Sequence, residues 1–193
     1  MATEIELKYA ATAQQILQIR DAVAGDYTSI SMETTYYDTS AGDLSARKWT
    51  LRRRLENGIS VCTLKTPADG LGRHEWELEA DSIQAAIPEL CKLSGLEELT
   101  ALTAEGVIAV CGARFTRLAC PVDLGIATAE LALDKGILFG GGRELPFAEV
   151  EVELKSGVET AVFGWSHALA ARFGLKPEPR SKFRRALTLA KGD

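Results

Sequence analysis

Histidine is scarce, with two in 193 residues, and neither sits where a general base is wanted. His74 has strand parity opposite to the charged residues beside it, and His167 falls in a helical stretch; both read as structural. The four cysteines show no CxxC pair and no close histidine, which excludes a zinc-ribbon pattern and favours reduced thiols. No apolar run approaches a membrane span. The start, Met1-Ala2-Thr3-Glu4, lacks a basic segment followed by an apolar one, so no signal peptide is read and a cytoplasmic location is expected. Positive charge is not in excess either: the net charge of -5 argues against a nucleic-acid polymer as partner. It leaves a small anion open, because the local field matters more than the total. Low-complexity linkers and composition breaks are also missing, so residues 1–193 are expected to form a single domain.

Strand and helix signals alternate along the chain. Residues 3–9 read as a strand, and Thr12 caps a helix over 13–23 that ends before Gly25. Residues 28–38 look extended. Trp49 to Leu55 and Ile59 to Thr66 read as a hairpin around Asn57-Gly58, a type I′ signal. A strand at 73–80, a helix to about Leu93 containing Pro88, and a short helix at 97–104 follow. Strands are expected at 107–118, 128–135 and 145–155, a helix at 158–173 before Gly174, and a basic last helix or strand from Ser181 to Leu189. About eight strands joined by hairpins, with helices between, predict an antiparallel α+β sheet that can close into a barrel.

The charges in these strands keep phase. Glu4-Ile5-Glu6-Leu7-Lys8 returns near the other end as Glu151-Val152-Glu153-Leu154-Lys155, with Glu149 in phase before it. On a strand each copy puts its charges on one face and its aliphatics on the other, with like carboxylates roughly 7 Å apart. A divalent cation is the simplest way to hold such acids together, and hard oxygen ligands suit Mg2+ or Mn2+. Arg52 and Arg54 share a strand face, as do Thr63 and Lys65, then Arg73, Glu75, Glu77 and Glu79, then Glu130 and Asp134. A solvated sheet face accounts for any one of these strands. The set is less easily explained that way, because acids gather on the first and last strands and bases on 52–54 and 65, whereas a wetted face alternates sign between neighbours. Segregated blocks fit a polyphosphate–metal site, with carboxylates on cations and Arg or Lys on phosphate oxygens. The barrel interior would then be polar, and the aliphatic face would turn outward beneath the helices. The tryptophans Trp49, Trp76 and Trp165 read as core rather than as a base-stacking platform.

These residues carry a resemblance. Glu4-Ile5-Glu6-Leu7-Lys8 resembles the ExExK signature of the CYTH domain family, the triphosphate tunnel metalloenzymes. Tyr36-Tyr37-Asp38-Thr39, Leu51-Arg52-Arg53-Arg54, Thr63-Leu64-Lys65, Arg73-His74-Glu75-Trp76-Glu77, Phe115-Thr116-Arg117, Leu131-Ala132-Leu133-Asp134-Lys135-Gly136, Glu149-Val150-Glu151-Val152-Glu153 and Ser181-Lys182-Phe183-Arg184-Arg185 are similar to its later motifs, in family order and across the whole chain. The resemblance implies an eight-stranded antiparallel β-barrel, a tunnel with a polar charged lumen and helices packed outside. It implies metal ligands at Glu4, Glu6, Glu151 and Glu153, with Glu149 and Asp134 beside them. Phosphate partners are implied at Lys8, Arg52, Arg54, Lys65, Arg117, Lys182 and Arg185. Arg53 has the wrong parity, Lys155 reads as a strand-end surface residue, Asp38 as a turn cap, and Tyr36 and Tyr37 as packing. The expected activity is that of the bacterial inorganic triphosphatases: Mg2+- or Mn2+-dependent hydrolysis of triphosphate to diphosphate and phosphate. Lys65 would stabilise charge near the leaving group, and Glu75 or Glu77 would polarise the water. Class IV adenylate cyclase, thiamine triphosphatase and a non-catalytic polyphosphate or nucleotide module are the alternatives. The partner is inorganic triphosphate or another triphosphate compound, with no membrane and no nucleic-acid polymer, and nothing in the sequence opposes a homodimer.

Overall fold

The computed structural model describes residues 5–68 and 72–192. The chain runs β1 (Glu6–Ala10), α1 (Ala13–Ala22), β2 (Thr28–Asp38), α2 (Asp43–Ala46), β3 (Thr50–Glu56), β4 (Ile59–Pro67), β5 (Arg73–Glu79), α3 (Ile83–Ser94), α4 (Glu97–Leu102), β6 (Ile108–Asp123), β7 (Ala127–Gly140), β8 (Arg143–Gly157), α5 (Glu159–Phe173), β9 (Lys176–Pro177) and α6 (Lys182–Lys191). Local chemistry accounts for several boundaries. Thr12 and Gln15 form a reciprocal capping box at α1. Asn57 and Gly58 both have positive φ, as a two-residue type I′ hairpin requires. Asp38 is buried at the end of β2 and accepts the backbone N–H groups of Thr39, Leu44 and Ser45 at 2.8–3.0 Å. That cap fixes the turn into α2.

All nine strands among the described residues join one antiparallel sheet in the order β5-β4-β3-β2-β6-β7-β8-β1-β9. The expected eight-stranded barrel is therefore corrected: there is an extra two-residue strand, and β5 and β9 are edges rather than partners, so the sheet is not closed. Two runs of hairpins, β2 to β5 and β6 to β8, meet along β2–β6, and β1 is brought against β8 from the other end of the chain.

Period-two alternation, broken by register shifts at Tyr36/Tyr37 and Thr128/Ala129, gives the sheet two unlike faces. On the outer face, Tyr9, Leu131, Leu133, Val150 and Val152 pack with Ile16 and Ile19 of α1 and Val162 and Leu169 of α5. Leu51, Cys62 and Leu64 pack with Ile83, Ala86, Ile87 and Leu90 of α3 and Leu99 of α4, and Trp49 and Trp76 belong to this cluster. The inner face carries the charges. It is not polar throughout, which is a second correction. Met32, Tyr36, Cys111, Ala113, Phe115, Leu138 and Phe147 form an apolar patch there, covered by α6 through Ala186, Phe183, Leu187 and Ala190. So α6 lies inside, not outside with the other helices. The approach is close: a Cβ on Gly140 would stand 2.8 Å from the Ala190 Cβ, and one on Gly141 2.4 Å from the Ala190 carbonyl oxygen. The tail, ambiguous between helix and strand in sequence, becomes a helix because its apolar residues at 183, 186, 187 and 190 then share one side. No helix among the described residues is long and apolar enough to cross a membrane.

The four cysteines are unpaired. Burial raises the thiols of Cys62 and Cys120 and pushes Cys111 up to about 12. A thiol is nucleophilic as thiolate, and only Cys91 is part exposed. Native protein near neutral pH should react rapidly with Ellman's reagent at Cys91 alone, and at all four positions once denatured. Rapid native reaction at a second cysteine would contradict the burial described.

Candidate functional site

One cavity of about 1440 Å³ opens on the inner face. Register orders its walls along the strands. Glu130 of β7 lies opposite Glu153 of β8, which lies opposite Glu6 of β1, so three carboxylates stand in a row across three strands. One repeat further along, Glu151 is opposite Ala132 and Lys8, and beyond that Asp134 is opposite both Glu149 and Arg117. In the other half of the sheet, Arg52 is opposite Thr63, and Lys65 lies between Thr50 and Glu75. Glu6, Glu130 and Glu153 thus mark one end of the cleft, and Thr50, Lys65 and Arg73 the other.

Between the ends lies a buried ion network. Arg117 grips Asp134 with two 2.8 Å hydrogen bonds and also meets Glu151. Lys182, from the first turn of α6, reaches Asp134 at 2.7 Å and Glu151 at 2.9 Å and contacts Glu149, which Arg185 contacts in turn. Three acids meet three cations, and Asp134 and Glu149 are wholly buried. Burial alone would push Glu151 up, but Lys182, Arg117 and Lys8 hold it well below the ordinary carboxylate range. Burial does raise Glu149, with Lys182 opposing and Glu151 adding to the rise. Burial disfavours the Lys182 ammonium, yet the acids around it raise its pKa overall. Oxygens of Asp134, Glu149 and Glu151 lie within 4.8 Å of one another. That spacing could hold a metal ion, although here each carboxylate already meets a cation of the chain.

Across the cleft the charges are mostly basic. Glu75 bridges Arg52 at 3.3 Å and Lys65 at 3.0 Å, and Arg54 pairs with Glu56. The Nε atoms of Arg52 and Arg54 are buried with no hydrogen-bond partner. Burial, then the nearby Arg52 charge, lowers the pKa of Arg54. Unpaired buried donors are costly, and these lie on two side chains of the cavity wall. The arrangement is suited to a multiply charged oxyanion, whose oxygens would accept from both guanidinium groups.

The expected site residues divide as follows. Lys8, Arg52, Arg54, Lys65, Arg117 and Lys182 line the cavity, together with Glu6, Glu151 and Glu153. Asp134, Glu149 and Arg185 lie beneath it in the ion network, and Glu4 lies outside the described residues. Glu75 reaches the site through Arg52 and Lys65, while Glu77 is exposed and is not on the cavity wall. Arg53 turns away to Ser60, as its parity indicated, and Lys155 is an exposed strand-end neighbour of Glu153. Glu130 was not among the expected ligands; its even spacing from Asp134 was the available signal. Tyr36 packs on Phe183, as expected, and also lines the cavity.

Comparison with known proteins agrees with this geometry. The inorganic triphosphatase of Haemophilus influenzae is 29% identical over 197 residues, covering 98% of this chain and 55% of that protein. The chain therefore spans about half the length of this relative. The PH1819 protein of Pyrococcus horikoshii shares the fold with a TM-score of 0.66 at 24% identity, over 96% of this chain and 99% of that one. HpAC1 of Hippeastrum, named as an adenylyl cyclase and described by a dominant triphosphatase activity, gives 0.65 at 21% identity over 98% and 96%. The family pattern described as CYTH domain matches residues 2–187; with its paired acidic strands and facing arginines on one sheet surface, this chain belongs to the CYTH domain family.

Proposed function

We propose that the cleft binds inorganic triphosphate and, with a divalent cation, hydrolyses it to diphosphate and phosphate, the whole chain acting as one domain. The observation that carries this reading is the pair of buried, unpartnered guanidinium nitrogens on Arg52 and Arg54, facing a wall of carboxylates across one cavity. The Haemophilus relative, an inorganic triphosphatase, supports it.

Two acid sets could hold a metal. Asp134 and Glu149 are neutralised by Arg117, Lys182 and Arg185, and their part is to anchor those cations. The row Glu6–Glu153–Glu130 is the set left with an excess of acid: like charges directly opposite on neighbouring strands repel, and its three carboxylates meet two ammonium groups, Lys8 at 3.7 Å from Glu6 and Lys155 at 2.8 Å from Glu153 and 3.8 Å from Glu130. Glu6, Glu153 and Glu151, with Glu4 and with Glu130 added, would hold Mg2+ or Mn2+, which supplies phosphate charge neutralisation and a template for water.

The chain's own residues do the rest. Arg52, Arg54, Arg117, Lys8 and Lys182 hold the phosphate oxygens, since phosphoryl transfer needs placement and charge stabilisation more than covalent help. Water adds to a terminal phosphorus, the bridging P–O bond breaks, and diphosphate leaves with the bond's electron pair while the water proton passes to solvent. Lys65 stabilises the charge that develops on the leaving oxygen. Glu75 positions Lys65 and Arg52. Glu77 has no assigned step.

Phosphate release from triphosphate, ATP and thiamine triphosphate, each with Mg2+ or Mn2+ and with chelator, tests the reading. Triphosphate should be the best substrate, and chelation should abolish turnover. Glu153→Gln should reduce turnover by ~10²–10³. Metal-independent turnover, tight binding without turnover, or cyclic AMP from ATP would each overturn it.

A further inference from the structure

Two phenylalanines lie beside the ion network. Phe115 of β6 and Phe147 of β8 both stand opposite Gly136 of β7, just as Arg117 and Glu149 both stand opposite Asp134 two residues away. An aromatic row thus crosses three strands next to the ionic row, about 7 Å from it. Gly136 makes that row possible, since a Cβ there would come within 2.5 Å of the Phe115 Cα and Cβ. With no side chain between them, the two buried rings meet edge to face with their centroids 5.7 Å apart. Both rings carry cations of the network. The Lys182 ammonium is 4.9 Å from the Phe115 centroid and 5.6 Å from that of Phe147. The guanidinium carbon of Arg117 lies 5.9 Å from Phe115, and that of Arg185 lies 5.4 Å from Phe147. All three cations of the network therefore rest on one pair of rings.

Packing alone does not require rings at these two positions. Met32, Cys111, Ala113 and Leu138 fill much of the same patch without one. A ring face adds attraction for a cation, and that attraction strengthens away from water. It also leaves the in-plane N–H donors of a stacked guanidinium free for carboxylate or phosphate oxygens. Arg117 and Lys182 both line the cavity, and the Arg117 charge works against the Lys182 ammonium. A surface that attracts both holds them together without competing for their donors. We propose that Phe115 and Phe147 are positioning residues for anion binding, their faces fixing Arg117, Lys182 and Arg185 in the arrangement that receives the phosphates. This rests on the reading of the cleft as a triphosphate site and names what holds its cations ready.

Phe115 is to be replaced in the full chain by mono-, di- and trifluorinated phenylalanine, which withdraw electron density from the ring face in steps at nearly constant shape. Triphosphate affinity is measured without divalent cation, so that nothing turns over. It should fall with each added fluorine, by about tenfold at the trifluorinated ring. The same series at Phe147 should fall in the same order. A packing role predicts no slope, because the fluorinated rings fill the same space and stay apolar. Phe139 is the control: its ring carries the exposed Arg114 at 5.1 Å, off the cavity wall, and fluorination there should leave the affinity unchanged. A flat series at 115 or 147, or an equal slope at 139, overturns the proposal while triphosphate binding stands. Failure of the unsubstituted protein to bind triphosphate overturns instead the reading beneath it.

Discussion

Lys182→Met should cost about 3–5 kcal/mol of stability, the usual penalty for removing one partner of a buried ion pair. For a chain of this size that lowers Tm by roughly 6–20 °C. Lys182 touches Asp134, Glu149 and Glu151 at once, so its removal leaves three buried acids with two guanidinium groups. It also releases the first turn of α6 from the sheet. The loss should depend on pH with a definite sign. The Lys182 pKa is raised above its ordinary 10.5, so its stabilisation is complete below that value and fades as pH climbs through the folded pKa. Glu151 is depressed below 4.5, so its share is present above that value and fades on acidification. Urea unfolding should therefore show the variant's deficit at neutral pH, shrinking in strong alkali as wild type loses the same ammonium. Adding Glu149→Gln should recover part of it by removing an acid left unpaired. A neutral deficit below about 1 kcal/mol would mean that the network contributes little.

Arg54→Met should do the opposite: lower the rate of triphosphate hydrolysis by ~10²–10³ without lowering stability. Its Nε is buried and unpartnered. Burial and the neighbouring Arg52 charge both work against its ionised form, and its one ion pair, with Glu56, is only part-buried. An anionic substrate would offset both effects, a form of preorganisation. Comparing kcat/KM with Tm for this one variant separates the roles. A large fall in Tm would make Arg54 a structural residue, and an unchanged rate would remove it from the phosphate site.

Most of the inner face was legible in the sequence because a strand has an exact period of two. Glu6 and Lys8, Arg52 and Arg54, Lys65, and Glu151 and Glu153 reach the same cavity because each pair is even-spaced and so shares one face of its strand. The Asn57-Gly58 hairpin and the Thr12 cap were legible for the same local reason. Closure was not, since whether a sheet curls shut depends on stagger between strands far apart in the chain, and parity carries no stagger. The position of α6 was not either. A short segment rich in bases and apolar residues reads as a wetted helix or strand, and only the glycines at 140 and 141 make room for it beside β7. Glu130 was visible by parity but lacked a second acid two residues away, which is what marked the other strands.

The pairing of Glu6 with Glu153 joins positions nearly a whole chain apart. Hairpins such as β3–β4 and β7–β8 close short loops and can form early, whereas the β1–β8 ladder must wait for a long loop to shut. During synthesis the first strand emerges with its acids and has no partner until β8 has been made. Glu130 and Glu153 already face each other once the β7–β8 hairpin forms, but the row is completed only when β1 docks and brings in Glu6, so β1 is the strand whose release would undo the acidic end first.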